Sequence, residues 1–299
     1  MRFRWPEITP RRVWSALSRR IADAPHLLAW SLPTDSTNQN RQLLDAYRAR
    51  HRGERCFVIG NGPSLARTDL SKLAGAVTFG ANRIYLLGES HGFLPTYFVC
   101  SNELVLEQYH VDIAGLPMPK FLNWNRRRLF GPASQNIAYF RLRLQLFDRF
   151  GTTPLRALSS GGTVTYVSLQ LAYFMGFREV ILIGVDHDFV DKGTPNVTEV
   201  RNQPRDENHF DPNYFPRGSR WQPPDLLRSE IAYAIARETF AGAGGRILDA
   251  TLGGRCTVFE KVEYASLFAS RSGESASIAV VNSRENPRPA GDGSSWPAA

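Results

Sequence analysis

The chain has 299 residues, of which 42% are hydrophobic, and a formal net charge of +8 at pH 7. These values are typical of a soluble globular protein with a sizeable core, and no window holds the roughly 18 apolar residues that a membrane span needs. Cys56, Cys100 and Cys256 are too widely spaced for a structural zinc site, and they predict reduced thiols in a cytoplasmic protein.

Residues 1–52 form a basic segment that we predict to be helical. The first 50 residues hold nine arginines and four acidic residues. Residues 11–31 mix arginines with large apolar side chains, so this stretch either packs on the domain or contacts a membrane surface. Pro25 is expected to break or kink a helix there, and a second helix is predicted over 39–52. No motif indicates a nucleic acid partner.

Residues 53–268 alternate short apolar runs with helical patterns. This alternation predicts an α/β, Rossmann-like domain: a doubly wound, mainly parallel sheet with helices on both faces. The predicted strands are 56–60, 76–80, 96–100, 120–124, 180–185 and 246–250, and the clearest helices are 163–175 and 225–241. Residues 136–140 and 144–150 are ambiguous. The polar segment 187–224 predicts a lid, and 269–299 are predicted to be disordered.

A glycine-bearing turn follows the first predicted strand. It reads Gly60-Asn61-Gly62-Pro63-Ser64, without the lysine of a Walker A loop or the third glycine of a dinucleotide fingerprint. Ligands of doubly wound sheets bind beyond the carboxyl ends of the strands, where the strand order reverses. We therefore expect Gly60, Asn61, Gly62 and Ser64 to contact a nucleotide, although an ordinary strand-to-helix turn has the same composition.

A second small-residue turn, Ser159-Ser160-Gly161-Gly162, precedes the helix at 163–175. Ser160 is expected to cap that helix. The free backbone N–H groups at the start of the helix favour binding of a phosphate or carboxylate. Asn82 and Asn102 each follow an apolar strand, where they either read a ribose or a base or serve as turn residues. We expect both turns and both asparagines at one rim of the sheet.

Several side chains of the strongest strand and the predicted lid are chemically suited to catalysis. Asp186-His187-Asp188 is either a divalent-cation motif or a simple strand-end turn. His209 is the candidate general base because its ordinary pKa lies near neutrality. Tyr214 could bind a phosphate or leaving group, and Arg217 and Arg220 could clamp an anion.

The ordered set of motifs resembles a known superfamily over roughly residues 54–265. It joins bacterial sialyltransferases of glycosyltransferase family 42 with domain-of-unknown-function-115 proteins, which are described as similar to archaeal 6-hydroxymethyl-dihydropterin pyrophosphokinases. The motifs are Gly60 to Leu65, Asn82, Asn102, Ser159-Ser160-Gly161 and Gly184-Val185-Asp186.

In the sialyltransferases, the resemblance implies, these turns and asparagines hold a CMP-linked sugar. A lid histidine deprotonates the acceptor, tyrosines assist the departing phosphate, and no metal is needed. His209 and Tyr214 are the matching residues here. The chain departs from that pattern at His187-Asp188-Phe189, where the sialyltransferases carry a tyrosine. Residues 208–221 are more similar to the unknown-function branch.

Three functional hypotheses follow. The favoured one is metal-independent transfer of a sugar, in particular a sialic-acid-like sugar, from a CMP-linked donor to a glycan or lipid-linked acceptor. Such an enzyme would act in the cytoplasm, with membrane contact at the inner face through residues 11–31. The second is an ATP- and Mg²⁺-dependent pyrophosphokinase for a pterin-like alcohol, with Asp186 and Asp188 as metal ligands. The third is a non-catalytic binding module in polysaccharide assembly.

Overall fold

A computed structural model describes residues 10–144, 147–190 and 193–269. The helices in these ranges are Pro10–Ser31 (α1), Asp35–Asp45 (α2), Leu86–His91 (α3), Glu103–Gln108 (α4), His110–Gly115 (α5), Val164–Phe174 (α6), Leu226–Gly242 (α7) and Ser266–Ala269 (α8). Short 3-10 helices cover Pro63–Arg67, Leu70–Leu73 and Trp124–Leu129. The strands are Arg55–Ile59 (β1), Val77–Ala81 (β2), Tyr97–Cys100 (β3), Lys120–Asn123 (β4), Ile137–Phe140 (β5), Glu179–Ile183 (β6), Glu199–Val200 (β7), Arg220–Trp221 (β8), Arg246–Asp249 (β9) and Glu260–Lys261 (β10).

Eight of these strands form one sheet in the order β10-β9-β6-β1-β2-β3-β4-β5, and every neighbouring pair is parallel. The chain first builds the sheet outward from β1 to β5, and then continues on the other side of β1 with β6, β9 and β10. The strand order therefore reverses between β1 and β6, where doubly wound folds bind ligands. The predicted α/β Rossmann-like class is confirmed.

The predicted strands coincide with observed ones to within about two residues. The central strands β1, β3, β4 and β6 are almost entirely buried, which explains why each reads as a continuous apolar run. The ambiguous residues 136–140 contain β5, whereas 147–150 have no regular structure. The exposed strand β10 has no apolar run and was not predicted.

Helix α6 is buried nearly all round, although the sequence predicted one apolar face. It lies against β1, β2 and β3 on one side and against α7 on another, so apolar residues occupy most of its circumference. The prediction that Ser160 caps this helix is wrong. Thr163 is the cap, and its hydroxyl accepts a hydrogen bond from the backbone N–H of Thr165. The Ser160 hydroxyl instead accepts a hydrogen bond from the guanidinium of Arg228 at 3.0 Å.

The N-terminal helices differ from the predictions in two respects. Helix α1 continues through Pro25, so the proline does not break it, and the predicted kink stays a prediction. Contacts beyond the proline hold the last turns: Trp30 packs edge-on against Trp124, and the indole of Trp124 donates to the carbonyl of His26 at 3.1 Å. Helix α2 begins earlier than predicted. Thr34 and Thr37 form a reciprocal capping box that starts the helix at Asp35.

The chain divides into two compact units, Met1–Tyr264 and Ala265–Ala299. The first contains α1, α2 and both sheets, and α8 is the described element of the second. The predicted boundary at residue 53 stays a prediction, as does the disordered tail 269–299, of which 270–299 lie outside the described residues. Over the described ranges, no helix combines the length and apolar character that crossing a bilayer requires.

Candidate functional site

The turn after β1 packs directly against the turn after β6. The backbone N–H of Gly60 donates to the carbonyl of Ile183 at 2.7 Å, and that of Gly62 donates to the carbonyl of Gly184 at 2.9 Å. A Cβ atom on Gly60 would overlap the Gly184 carbonyl, and one on Gly62 would overlap the Asp186 carboxylate. Both glycines are therefore required for this close approach.

Asp186 holds this junction together. Its two carboxylate oxygens accept hydrogen bonds from Ser64, one from the backbone N–H at 3.0 Å and one from the hydroxyl at 2.7 Å. Burial raises the pKa of Asp186 above its ordinary value, and the bonds from Ser64 only partly oppose this. Asp188 forms an ion pair with Arg255 at 3.2 Å. Both carboxylates of the predicted cation motif are thus engaged with protein groups.

The second small-residue turn is held by an ion pair. Asp148 accepts hydrogen bonds from the Ser159 hydroxyl at 2.7 Å and from the Gly161 N–H at 3.2 Å. The guanidinium of Arg228 binds Asp148 at 2.6 Å and also donates to the Ser160 hydroxyl at 3.0 Å. Burial alone would raise the pKa of Asp148, but the bonds from Arg228 and Ser159 keep it below its ordinary value. The turn is therefore held in one conformation.

The two glycine turns line one cleft at the switch point, as the sequence predicted. Its cavity measures about 150 Å³, and seven predicted site residues lie in its wall: Gly60, Asn61, Gly62, Asn82, Gly162, Asp186 and His209. An adjacent recess of about 540 Å³ shares Asn82 and Gly162 and adds Asn102 and Ser160. The amide oxygen of Asn102 accepts from Leu104 and Val105 at the start of α4. The roles of these residues in binding stay predictions.

His209 lies in the cleft wall with its orientation fixed on two sides. Its Nδ1 is 2.9 Å from a carboxylate oxygen of Asp206, and its ring stacks on Tyr214 with centroids 3.9 Å apart. Burial opposes the ionised form of Asp206, but the bond from His209 and the nearby charge of Arg201 lower its pKa below the ordinary value. Because the carboxylate can only accept, the Nδ1 is the donor of this bond, and the Nε2 is the ring nitrogen that can act as a base.

Other predicted residues stand behind the walls of the cleft. The Ser64 and Ser159 hydroxyls and the Gly161 N–H are engaged with carboxylates, as described above. Tyr214 is fully buried, its hydroxyl accepts from the backbone N–H of Arg83 at 3.1 Å, and burial raises its pKa. Tyr214 therefore holds the ring of His209 in place by stacking on it, and its own hydroxyl does not reach the cleft where a leaving group would lie.

The two predicted anion-clamping arginines are not brought to the site. Arg217 is exposed, and neither it nor Arg220 lines the cleft or the recess. The backbone of Arg220 exchanges hydrogen bonds with Gln108, and its guanidinium binds Glu107 at 2.8 Å. The β7–β8 pair thus directs this end of the lid toward α4, which the sequence pattern could not reveal.

A model of one protein family, described as 6-hydroxymethylpterin diphosphokinase MptE-like, matches residues 34–192. The chain belongs to the MptE-like family. The match covers both glycine turns and both asparagines, and it ends before His209. Among solved structures, a MAf glycosyltransferase from Magnetospirillum magneticum AMB-1 is similar, with 17% identity and a TM-score of 0.46 over 87% of this chain. The chain spans 43% of that protein. No curated protein matches the chain.

Backbone strain in this MptE-like protein is concentrated at the site. Among the described residues, four that are not glycine have a positive φ, and three of them line the cleft or the recess: Asn82 at 55°, His187 at 56° and Asn196 at 63°. Such conformations persist where the surroundings enforce them, and they cluster at functional sites. His187 is further held by Glu230 at 3.0 Å.

One buried acceptor in the cleft wall has no partner. The Nδ2 of Asn61 donates to the carbonyl of Ala81 at 3.2 Å, while its Oδ1 is buried and accepts no hydrogen bond from any described residue. An unsatisfied buried acceptor is costly, and a ligand hydroxyl or amino group would satisfy it.

Proposed function

We propose that this MptE-like protein is a transferase that binds a nucleotide-activated sugar at the β1–β6 switch point and transfers the sugar to an acceptor hydroxyl. The observation that carries the proposal is the His209–Asp206 pair in the wall of a cleft built by two glycine turns. A histidine oriented by a buried carboxylate is suited to take a proton from a hydroxyl nucleophile.

The nucleotide part of the proposal rests on the polar groups of the cleft and the recess. Thr163, Val164 and Thr165 at the start of α6 lie in the cleft wall. The N–H groups of Thr163 and Thr165 donate to the Ser160 carbonyl and the Thr163 hydroxyl, so the helix dipole rather than these two donors would attract an anion. A phosphate there would meet the positive end of the helix. The free Oδ1 of Asn61 would accept from a ribose hydroxyl or a base amino group. Asn82 and Asn102 would complete the contacts from the recess.

The finer proposal is that the donor is CMP-linked and carries a sialic-acid-like sugar. The motif resemblance supports it, and so do two features of the site. The base is a lid histidine, and the leaving phosphate would face a helix terminus, which needs no bound cation. In this scheme Asp186 is a positioning residue, because its oxygens hold Ser64. His209 Nε2 takes the proton of the acceptor hydroxyl as that oxygen bonds to the anomeric carbon, while the bond from this carbon to the phosphate oxygen breaks and CMP departs with its electron pair.

The second candidate is a diphosphokinase that uses ATP and Mg²⁺, as the description of the family model suggests. Its metal would need carboxylates free to coordinate, but Asp186 is bonded to Ser64 and Asp188 to Arg255. Among the described residues, no group of three or more His, Cys, Asp or Glu side chains is placed to hold a metal. The residues present therefore do not fit a metal site in this arrangement, and no step is assigned to one.

A thermal-shift titration tests the proposal. CMP at about 100 times its Kd should stabilise the protein by about 2.7 kcal/mol, because it binds only the folded state. The variant H209A should keep this stabilisation and lose about 10²- to 10⁴-fold in transfer rate. His91, an exposed histidine outside the cleft, supplies the matched control H91A.

Three results would contradict the proposal. Stabilisation by ATP with Mg²⁺ and none by CMP would favour the diphosphokinase. Stabilisation by neither would leave no nucleotide site at the switch point. An H209A variant with unimpaired activity would remove the proposed base and favour a non-catalytic binding module.

We further propose that the acceptor is a glycan, in particular one that is lipid-linked, and that the protein works in the cytoplasm at the inner membrane face. The support is helix α1, which has exposed apolar side chains within a strongly basic sequence segment. Such a surface fits an anionic bilayer.

A further inference from the structure

Three arginines line a second cavity that has no part in the proposed function. Arg143, Arg149 and Arg156 surround a space of about 160 Å³ beside Ser159. None of its lining residues lines the cleft or the recess. All three side chains are exposed, so water and salt screen part of their mutual repulsion, and a bound anion would neutralise them.

The described residues supply no negative group for these arginines. None of the three forms an ion pair in the parts of the chain that the structure describes. The nearest acidic residue along the chain is Asp148, whose carboxylate is already bound to Arg228, Ser159 and Gly161. Asp148 does not line the cavity.

The backbone that presents the arginines is held in place by a buried glutamine. Gln170 is fully buried, and its amide oxygen accepts from the backbone N–H groups of Gly151 at 2.8 Å and Ser159 at 2.9 Å. Its amide nitrogen donates to the carbonyl of Ser159 at 2.8 Å. The chain segments around Gly151 and Ser159, which form the cavity, are thus both hydrogen-bonded to Gln170 of α6.

The position of Arg143 is set by a further pairing. Its backbone N–H donates to the carbonyl of Leu158 at 2.8 Å, and the N–H of Leu158 donates to the carbonyl of Arg141 at 2.9 Å. Arg143 and Arg156 therefore project from two paired segments, and Arg149 projects from the turn that Gln170 holds. The backbone thus places all three arginines around one cavity.

We propose that this cavity binds a phosphate group. A guanidinium presents several N–H donors in a planar fork that matches phosphate oxygens, and two or three such forks can saturate one phosphate. The hydroxyl of Thr152, an exposed residue in the cavity wall, adds a neutral donor. A phosphate dianion would remove the repulsion among the arginines, and the open cavity also admits the phosphoryl end of a larger molecule.

Calorimetric titration of the full chain with inorganic phosphate, and separately with phenyl phosphate, tests this inference. We expect one site for phosphate whose affinity falls as salt is raised. The variant R149Q/R156Q should weaken binding by at least about tenfold, because it removes two charge-assisted contacts. R149K/R156K, which keeps the charge and loses the forks, should fall between it and the unmodified protein.

The matched control is R52Q/R178Q, which removes two exposed arginines that do not line the cavity. It should bind phosphate as the unmodified protein does. Binding of phosphate without phenyl phosphate would identify a free ion as the ligand, whereas binding of both would identify the phosphoryl end of a larger molecule. Each of these results supports the inference.

Two results would overturn it. One is no phosphate binding by the folded, unmodified protein at low salt. The other is equal binding by R149Q/R156Q, which would locate the phosphate elsewhere, for example in the cleft. The CMP titration of R149Q/R156Q separates this inference from the proposed function. That variant should keep its CMP stabilisation, so either proposal can fail while the other stands.

Discussion

At the scale of single residues, a few contacts decide which chemical groups are available. His209 is useful as a base because Asp206 occupies its Nδ1 and Tyr214 fixes its ring plane. Asp186 is suited to the opposite task, since both its oxygens are consumed in holding Ser64. The structure thus gives His209 a free ring nitrogen and gives Asp186 a role in holding a turn.

The lowered pKa of Asp206 predicts how the stability of the protein changes with pH. Its pKa in the folded protein is lowered, so its carboxylate stabilises the fold above the unfolded value of about 3.9, and this contribution is lost as the pH falls through the lower folded pKa. D206N should cost about 1–3 kcal/mol at pH 7. In thermal melts between pH 7 and pH 3, it should also lose less stability on acidification than the unmodified protein.

The same variant should slow transfer by at least about tenfold, because the histidine loses the partner that selects its tautomer. The control is D211N, an acidic residue of the same segment whose carboxylate caps a local turn at Asn213. Parallel acid-unfolding curves for D206N and the unmodified protein would contradict the role given to this carboxylate.

Residue types in the sequence were enough to indicate the glycine turns and Asn82, but not their supporting groups. Asp148 and Arg228 are 80 positions apart, and no local sequence pattern indicates that they form an ion pair beside Ser160. Asp206 lies three residues before His209, a spacing that could have been read as an orienting pair.

At the scale of elements, helix α1 presents an apolar face that no other part of the described chain covers. Trp14, Ile21 and Leu28 are 70%, 65% and 62% exposed and recur every seven residues, so they share one face of the helix. Asp23 and Trp30 lie on the other side, where they contact Arg141 and Trp124. Pairing with Arg141 neutralises Asp23, the acidic residue of α1, and a basic amphipathic helix remains.

This arrangement predicts that the protein binds vesicles containing anionic phosphatidylglycerol, and binds neutral phosphatidylcholine vesicles more weakly. I21D should reduce binding by at least about tenfold, since it puts a charge in the apolar face. V111D changes an equally exposed side chain, 72% accessible on α5, and should have no such effect. In a vesicle sedimentation assay, equal losses for I21D and V111D would show that α1 has no special affinity for lipid.

Strands and helices differed in how far local patterns predicted them. The buried parallel strands were apparent as short apolar runs, because both of their faces meet the core. Helix ends were less apparent. The start of α6 depends on whether Ser160 or Thr163 caps it, and both residue types are good caps. Thr163 is the cap in the folded protein, where the Ser160 hydroxyl is bonded to Arg228, which also binds Asp148.

At the scale of the whole molecule, the predicted lid segment is hydrogen-bonded to the turn after β1. The backbone N–H of Phe210 donates to the carbonyl of Asn61 at 2.9 Å, next to His209. Occupation of the cleft should therefore restrain the lid. We predict that saturating CMP slows tryptic cleavage after Arg217, an exposed lid residue, as followed by mass spectrometry. Cleavage after Arg52, exposed in the turn before β1, should be unchanged. Equal cleavage at Arg217 with and without bound CMP would contradict this coupling.

The amino-acid sequence alone determined the fold class and the two glycine turns, because burial in a parallel sheet and close backbone approach each demand particular residue types at neighbouring positions. Only the tertiary structure decided which polar groups are free to act. The polar groups of Asp186, Ser64, Tyr214 and Arg220 have suitable chemistry but are bound to other protein groups. By contrast, the Nε2 of His209 and the guanidinium groups of the three arginines of the second cavity have no partner among the described residues. Hydrogen bonds and ion pairs between distant segments leave no local periodicity, so their partners become known only when the chain is folded.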